Sequence, residues 1–282
     1  MNVAVNKAVS WQPKVLLENP IFAPLHALIA TLPGDTFPTL CELNALLTQH
    51  MVQCEALRVA AGHALRFVPQ QLGKLGFEAQ YEPRCYLTGE VQTRENNWHD
   101  LLNALVWLTF PRAKAAINAR HFAALQAGEQ VGKSQRGAVR DSNTLLDESG
   151  VIVACANPKL AALLRDFQWH ELFWQQRAAV QNEMGFYVFG HGLYEKAIQP
   201  YVGITGQGII IDVAREFFSW EAARQHAYLD EQLANYWRNP AHCVSTRELC
   251  PVPLLGVPTW WADNRDALFY ANTAYFRSGR RA

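Results

Sequence analysis

Apolar side chains recur at helical spacing along most of this chain and form short unbroken runs in only a few places. Phe37-Pro38-Thr39 opens a helical stretch from Leu40 to about Ala64, in which Leu43, Leu46, Leu47 and Val52 fall near one face. Asn96 or Asn97 is placed to cap a helix that ends at Phe110. Pro111 stands where a first helical turn accepts proline, so a further helix is expected from Arg112 to about Gln126. Asn157-Pro158 starts another, and Trp169 to Val180 keeps helical spacing. A short helix runs from His191 towards Ile198 and stops at Pro200, and Trp220 to Trp237 forms a long one.

Strand signals are sparser. Leu65 to Val68 and Tyr86 to Val91 have strand character, interrupted by Gly73, Gly76 and Gly89. Thr144 to Asp147 and Val151 to Ala154 flank Glu148-Ser149-Gly150 as a hairpin would, and Gly208 to Val213 resembles a buried strand. Gly203 to Gly208 has its glycines wrongly spaced for a dinucleotide loop and is expected to be a turn. Four prolines make residues 1–35 a loop-like segment packed on the body, and Gly128 to Val139 is expected to be a surface loop. The aromatic tail after Cys250 should pack back on the body. Helices that do not alternate regularly with strands predict a helix-rich α+β fold with a few short strands or hairpins, and no linker divides residues 1–282.

Composition narrows the function classes. Half of the 282 residues are hydrophobic, which excludes global disorder, and Lys plus Arg equals Asp plus Glu at 25 each. A chain with no basic excess is poorly suited to gripping nucleic acid through phosphates. The most apolar run, Leu101 to Phe110, is about half a membrane span and ends at a proline, so no membrane segment is expected. Six scattered cysteines form neither a zinc knuckle nor a disulfide framework, which suits a reducing cytoplasm.

The chemistry-bearing positions cluster between residues 94 and 148 and at 191–195. Asn96, His99, Asp100 and Asn103 form a polar stripe at the start of a helix that is otherwise apolar. Lys114, Asn118 and His121 share a face of the next helix. If the corner at Phe110-Pro111 is tight and antiparallel, His99 and His121 come to the same level, about 16 Å from it. Arg140-Asp141, Asp147-Glu148 and the His191/Glu195 pair complete the set. His99, His121, His191, Asp141 and Glu195 are candidate ligands for a divalent ion, zinc or manganese. His99, Asp100, Asp147 and Glu148 are candidate catalytic groups, while Arg94, Asn103, Lys114 and Arg140 are candidate ligand-binding groups.

Plainer roles compete for each. Asp100 can serve the helix dipole, Asn103 and Asn118 can be structural hydrogen bonders, and His121 can be an ordinary solvated histidine. Asp147-Glu148 can be turn chemistry, and His191/Glu195 a helical side-chain pair. The His99-Asp100 dipeptide, with His63, Asp141 and Asp166, mimics the helical HD phosphohydrolases only superficially, because the residues that follow it lack their glycine and lysine.

Several runs are similar to one known family: Tyr81-Glu82, Thr93-Arg94, Asn97 to Leu101, Asn103 to Trp107, Phe110-Pro111, Lys114, Arg140-Asp141, Asp147 to Gly150, Phe189 to Lys196 and Pro253 to Trp260. They resemble the proteobacterial family catalogued as domain of unknown function 3025, across nearly all of the chain after the first thirty or so residues. The chain departs from its pattern at Thr259, where glycine precedes the tryptophan, and at Gly192, where alanine follows the histidine. The resemblance implies one intact bacterial domain and lends no activity or cofactor. A metal-assisted hydrolase of a small molecule is therefore expected from the residues alone. The rivals are a metal-free enzyme or binder of a small anionic ligand, and a non-catalytic interaction protein using Trp260, Trp261, Phe269 and Tyr275. Nothing in the pattern fixes an oligomeric state.

Overall fold

The computed structural model describes residues 10–53, 57–130 and 137–280. Helices α1 (Pro13–Glu18) and α2 (His26–Ile29) flank a 3₁₀ turn at Pro20–Leu25 and lead to α3 (Leu40–Gln53). Strand β1 (Arg66–Val68), helix α4 (Tyr81–Thr88) and strand β2 (Glu90–Gln92) form a small parallel pair with a helical crossover. Three helices follow in succession, α5 (Trp98–Thr109), α6 (Pro111–Gln130) and α7 (Gly137–Ser149). The remainder alternates less regularly: β3 (Gly150–Cys155), α8 (Pro158–Arg165), α9 (Arg177–Glu183), β4 (Met184–Val188), α10 (His191–Ala197), β5 (Thr205–Asp212), α11 (Ala222–Arg238) and β6 (Cys250–Pro253). The fold is helix-rich α+β, as the hydrophobic pattern predicts.

The larger sheet has the order β4-β3-β5-β6, with β3 and β5 parallel and both outer pairs antiparallel. All six residues of β3 are buried, which places this strand at the centre of the core. The edge strand β6 carries Pro251 and Pro253, which have no N–H to offer a further strand. One continuous hydrophobic core runs from Trp11 to Phe276. Trp11, Phe37 and Trp98 meet with ring centroids 5.0–5.8 Å apart, tying the N-terminal segment to the start of α5. Tyr270, Tyr275 and Phe276 are buried and Trp260, Trp261 and Phe269 are partly so, hence the aromatic tail packs back and presents no exposed aromatic patch of these residues.

Several local expectations are corrected. The hairpin expected at 144–154 is instead the last turns of α7 running directly into β3. The buried positions Ser142, Asn143 and Leu146 follow helical spacing, but two are polar, so the sequence hides the stripe. Asn143 is buried because its Oδ1 accepts the Trp237 indole N–H at 2.8 Å. Tyr86 to Thr88 belong to α4, and Gly89, at φ 75°, ends that helix before β2 begins. Residues 13–29 are largely helical, and most of the loop expected at 128–139 falls in α6, in α7 or outside the described residues. Strand β5 begins at Thr205, within the expected turn, because Gly206 sits where a Cβ would meet Val151 at 2.4 Å. Trp169 to Val180 is broken by a wide turn in which Gln176 N–H reaches the Glu171 carbonyl.

Candidate metal-binding site

Three elements bring the central residues together. Asn97 caps α5 by accepting the Asp100 N–H at 3.0 Å, and this fixes His99 in the first turn. The start of α10 is laid against the α7–β3 junction, with the Gly190 N–H donating to the Gly150 carbonyl at 2.9 Å. Any Cβ at position 190 would fall 2.4–2.6 Å from backbone atoms of Glu148, Ser149 and Gly150, so only glycine permits the approach. The consequence is that His191 stands against Asp147 and Glu148, which end α7.

The two imidazoles meet through their Nε2 atoms at 3.0 Å, with rings nearly perpendicular. Glu148 Oε1 lies 3.8 Å from His99 Nε2 and 3.6 Å from His191 Nε2. Behind His99, its Nδ1 meets Glu195 Oε2 at 3.0 Å, and behind His191, its Nδ1 lies 3.7 Å from Asp147 Oδ2. Each imidazole thus has a carboxylate at its back and presents its other nitrogen to a shared point. His191 is buried, whereas the side chains of His99 and Glu148 keep 33% and 41% of their exposure, so the point opens towards solvent.

A second, deeper layer supports Asp147. Lys114 Nζ donates to Asp147 Oδ1 at 2.5 Å and to Asn103 Oδ1 at 2.9 Å, and Asn103 Nδ2 donates to the Tyr81 hydroxyl at 2.6 Å. The ammonium also lies 5.4 Å from the Trp107 ring centre. Burial opposes charge on Asp147, yet the Lys114 ammonium bonded to it holds its carboxyl below the usual range. Burial pushes His191 down to about 3, so this imidazole is neutral at physiological pH. The hydrogen bond that His99 donates to Glu195 raises His99, and burial raises Glu148.

Some candidate residues lie outside this convergence. Asp100 is occupied by Arg94, accepting its backbone N–H at 2.7 Å and its guanidinium through two contacts of 2.8 Å. Arg140 and Asp141 are exposed in the first turns of α7, about 10 Å along the helix axis from Glu148. His121 is buried two turns beyond Lys114, within electrostatic reach of Glu82, and is not a corner of the triangle. His121 is not part of the group of ligand-type atoms that brings His99, Glu148 and His191 together. Tyr81 and Glu82, which lie next to each other at the start of α4, were not counted among the candidate site residues, although the pair is one of the runs that resemble the family.

The family described as "protein of unknown function (DUF3025)" matches residues 65–280. The chain belongs to this family. The DUF3025 match begins later than the resemblance suggested, yet it contains every residue of the His/Glu cluster. No curated protein and no solved structure matches the chain. Among the described residues of this DUF3025 protein, no helix is long and apolar enough to cross a membrane.

Proposed function

We propose that His99, His191 and Glu148 hold a divalent transition-metal ion, zinc in the first instance, and that the protein is a metal-dependent hydrolase of a small molecule. The supporting observation is the triangle of His99 Nε2, His191 Nε2 and Glu148 Oε1, with edges of 3.0, 3.6 and 3.8 Å. A tetrahedral zinc with bonds of about 2.0–2.1 Å needs its ligand atoms about 3.3–3.4 Å apart, so shifts of a few tenths of an ångström close the site. Two histidines and one carboxylate leave the fourth position for water or substrate. The Glu195 carboxylate behind His99 would fix that imidazole's tautomer and raise its basicity as a ligand. A metal ion held by these residues would lower the pKa of a bound water and supply hydroxide near neutral pH for hydrolysis, the water's second proton passing to the leaving group. Asp147 and Lys114 act from behind as positioning groups. Scattered free thiols at Cys41, Cys85, Cys155, Cys243 and Cys250 support a cytoplasmic setting.

An anionic-ligand site built on Arg94, Lys114, Arg140 and His99 has less support. Arg94 is forked on Asp100, Lys114 is consumed by Asp147 and Asn103, and Arg140 is remote. The test is hydrolysis of chromogenic esters, amides and phosphoesters by chelator-stripped protein with zinc or manganese restored. The reading requires metal-dependent turnover of at least one class, lost in His99→Ala. Turnover indifferent to chelator, or none with any metal, rejects it.

A further inference from the structure

A cavity of about 600 Å³ lies on the opposite face of the larger sheet from the histidines. Along β5, Gly206 faces Leu193 of α10, so its neighbours Thr205 and Gln207 point the other way, into the cavity. Arg247, Arg277 and Arg280 line this cavity, and none of the described residues lining it is acidic. Arg280 donates to the backbone carbonyls of Arg247 and Leu249, and Arg277 donates to that of Ala274. The nearest acid in sequence, Glu248, is engaged by the N–H groups of Cys243 and Ser245. All three arginines are exposed, so solvent screens their mutual repulsion, and together they offer an anion several N–H donors at one hollow.

Aromatic rings complete the lining. Phe167 and Trp169 line the cavity with ring centroids 5.6 Å apart, and the Trp169 indole N–H donates to the Arg277 carbonyl at 2.6 Å. Phe167 stands at φ 58°, just past the end of α8, where Phe167 N–H bonds Leu164 and Gln168 N–H bonds Leu163. This is the capping position at which glycine is the unstrained residue. A phenylalanine kept there against backbone preference places a flat ring in the cavity lining.

We propose that this cavity binds a mononucleotide-sized ligand, a phosphate joined to a flat heterocycle. The arginine forks take the phosphate oxygens, the ring lies against Phe167, and the Gln207 amide addresses the heterocycle's edge. The volume falls in the range of small-molecule sites, and the proposal is independent of any metal at His99.

The test is calorimetric titration of the full chain in chelator with AMP, GMP, CMP and UMP, with adenosine and inorganic phosphate as partial ligands. It is repeated on His99→Ala, whose binding should match the native protein. At least one nucleotide is expected to saturate at one per chain, with adenosine and phosphate each weaker by about tenfold or more. Arg247→Ala/Arg277→Ala is expected to weaken that nucleotide by about tenfold or more. Phe167→Gly, which relieves the backbone, should weaken it while leaving the melting temperature unchanged or higher. Saturation by none of the four, equal binding by the arginine variant, or phosphate alone binding as tightly as the nucleotide would overturn the assignment. Binding only by an oligonucleotide would likewise reject it.

Discussion

The inner and outer halves of the polar network are built from similar residue types but are satisfied to different degrees. In the inner half, Lys114, Asp147, Asn103 and Tyr81 are matched donor to acceptor, and the Lys114 side chain keeps only 4% exposure. In the outer half, two imidazole nitrogens and a carboxylate oxygen converge on one partly exposed point. Buried polar groups exhaust one another when their role is to hold a fold, because an unmatched one costs about 1–3 kcal/mol. The three ligand-type atoms of the outer half face one another, the two Nε2 atoms at hydrogen-bond distance, and a bound ion would take the place of that hydrogen bond. The inner half therefore sets position, and the outer half is where chemistry can occur.

Breaking the inner half should have the largest effect. Lys114→Met strands the Asp147 carboxylate in the interior and is expected to cost about 3–5 kcal/mol of stability in a denaturant titration. The double change Lys114→Met/Asp147→Leu should recover most of that loss, as removal of both charges from a buried pair usually does. A single variant as stable as the native protein would mean that the pair is not sealed.

The outer half should instead respond to metal. Zinc at about one hundred times its dissociation constant should raise stability by about 2.7 kcal/mol, and His99→Ala should abolish that gain while changing the metal-free protein little. Glu195→Gln, which weakens the support behind His99, is expected to reduce zinc affinity by about 10–100-fold by calorimetry. Zinc stabilisation that survives His99→Ala would place the ion elsewhere.

A buried acid outside the cluster provides a pH control. Asp230 of α11 accepts the Arg112 and Ala113 N–H groups at the start of α6, and burial pushes its carboxyl from 3.8 up to about 6. The folded state then binds a proton more tightly than the unfolded chain. The associated stability is fully present below pH 3.8 and is lost as pH rises through about 6. Asp230→Asn should flatten the stability profile over that window by on the order of 1–3 kcal/mol relative to the native protein, measured by denaturation at several pH values.

The smallest change is expected at Asp100, which shares the first turn of α5 with His99 but serves Arg94. Asp100→Asn should cost about 1 kcal/mol, since Arg94 is half exposed, and should leave zinc affinity unaltered. An effect on zinc as large as that of His99→Ala would erase the distinction drawn between neighbouring residues.

Much of this arrangement could be read in the sequence because it is local. The cap at Asn97, the apolar run behind it, the Asn157-Pro158 start and the four-residue spacing of His191 and Glu195 are short-range signals, and the structure reproduces those elements. Asp147 and Glu148 were recognisable as candidates but were assigned to a hairpin, because Ser142 and Asn143 occupy buried helical positions that usually carry apolar residues. The approach of α10 to α7 was not legible, since it depends on a close backbone contact at Gly190 between segments some forty residues apart. The arginine cavity left no pattern either. Its walls come from separate segments between α7 and the C-terminal tail, and no residue pair among them has motif spacing.

The most direct measurement is elemental analysis and zinc titration of untagged, chelator-stripped protein beside His99→Ala and Glu148→Gln. One zinc per native chain, with binding lost in both variants, is the expected result. A native chain that takes up no zinc, manganese or ferrous ion, or variants that bind as the native protein does, would contradict a metal centre at these three residues.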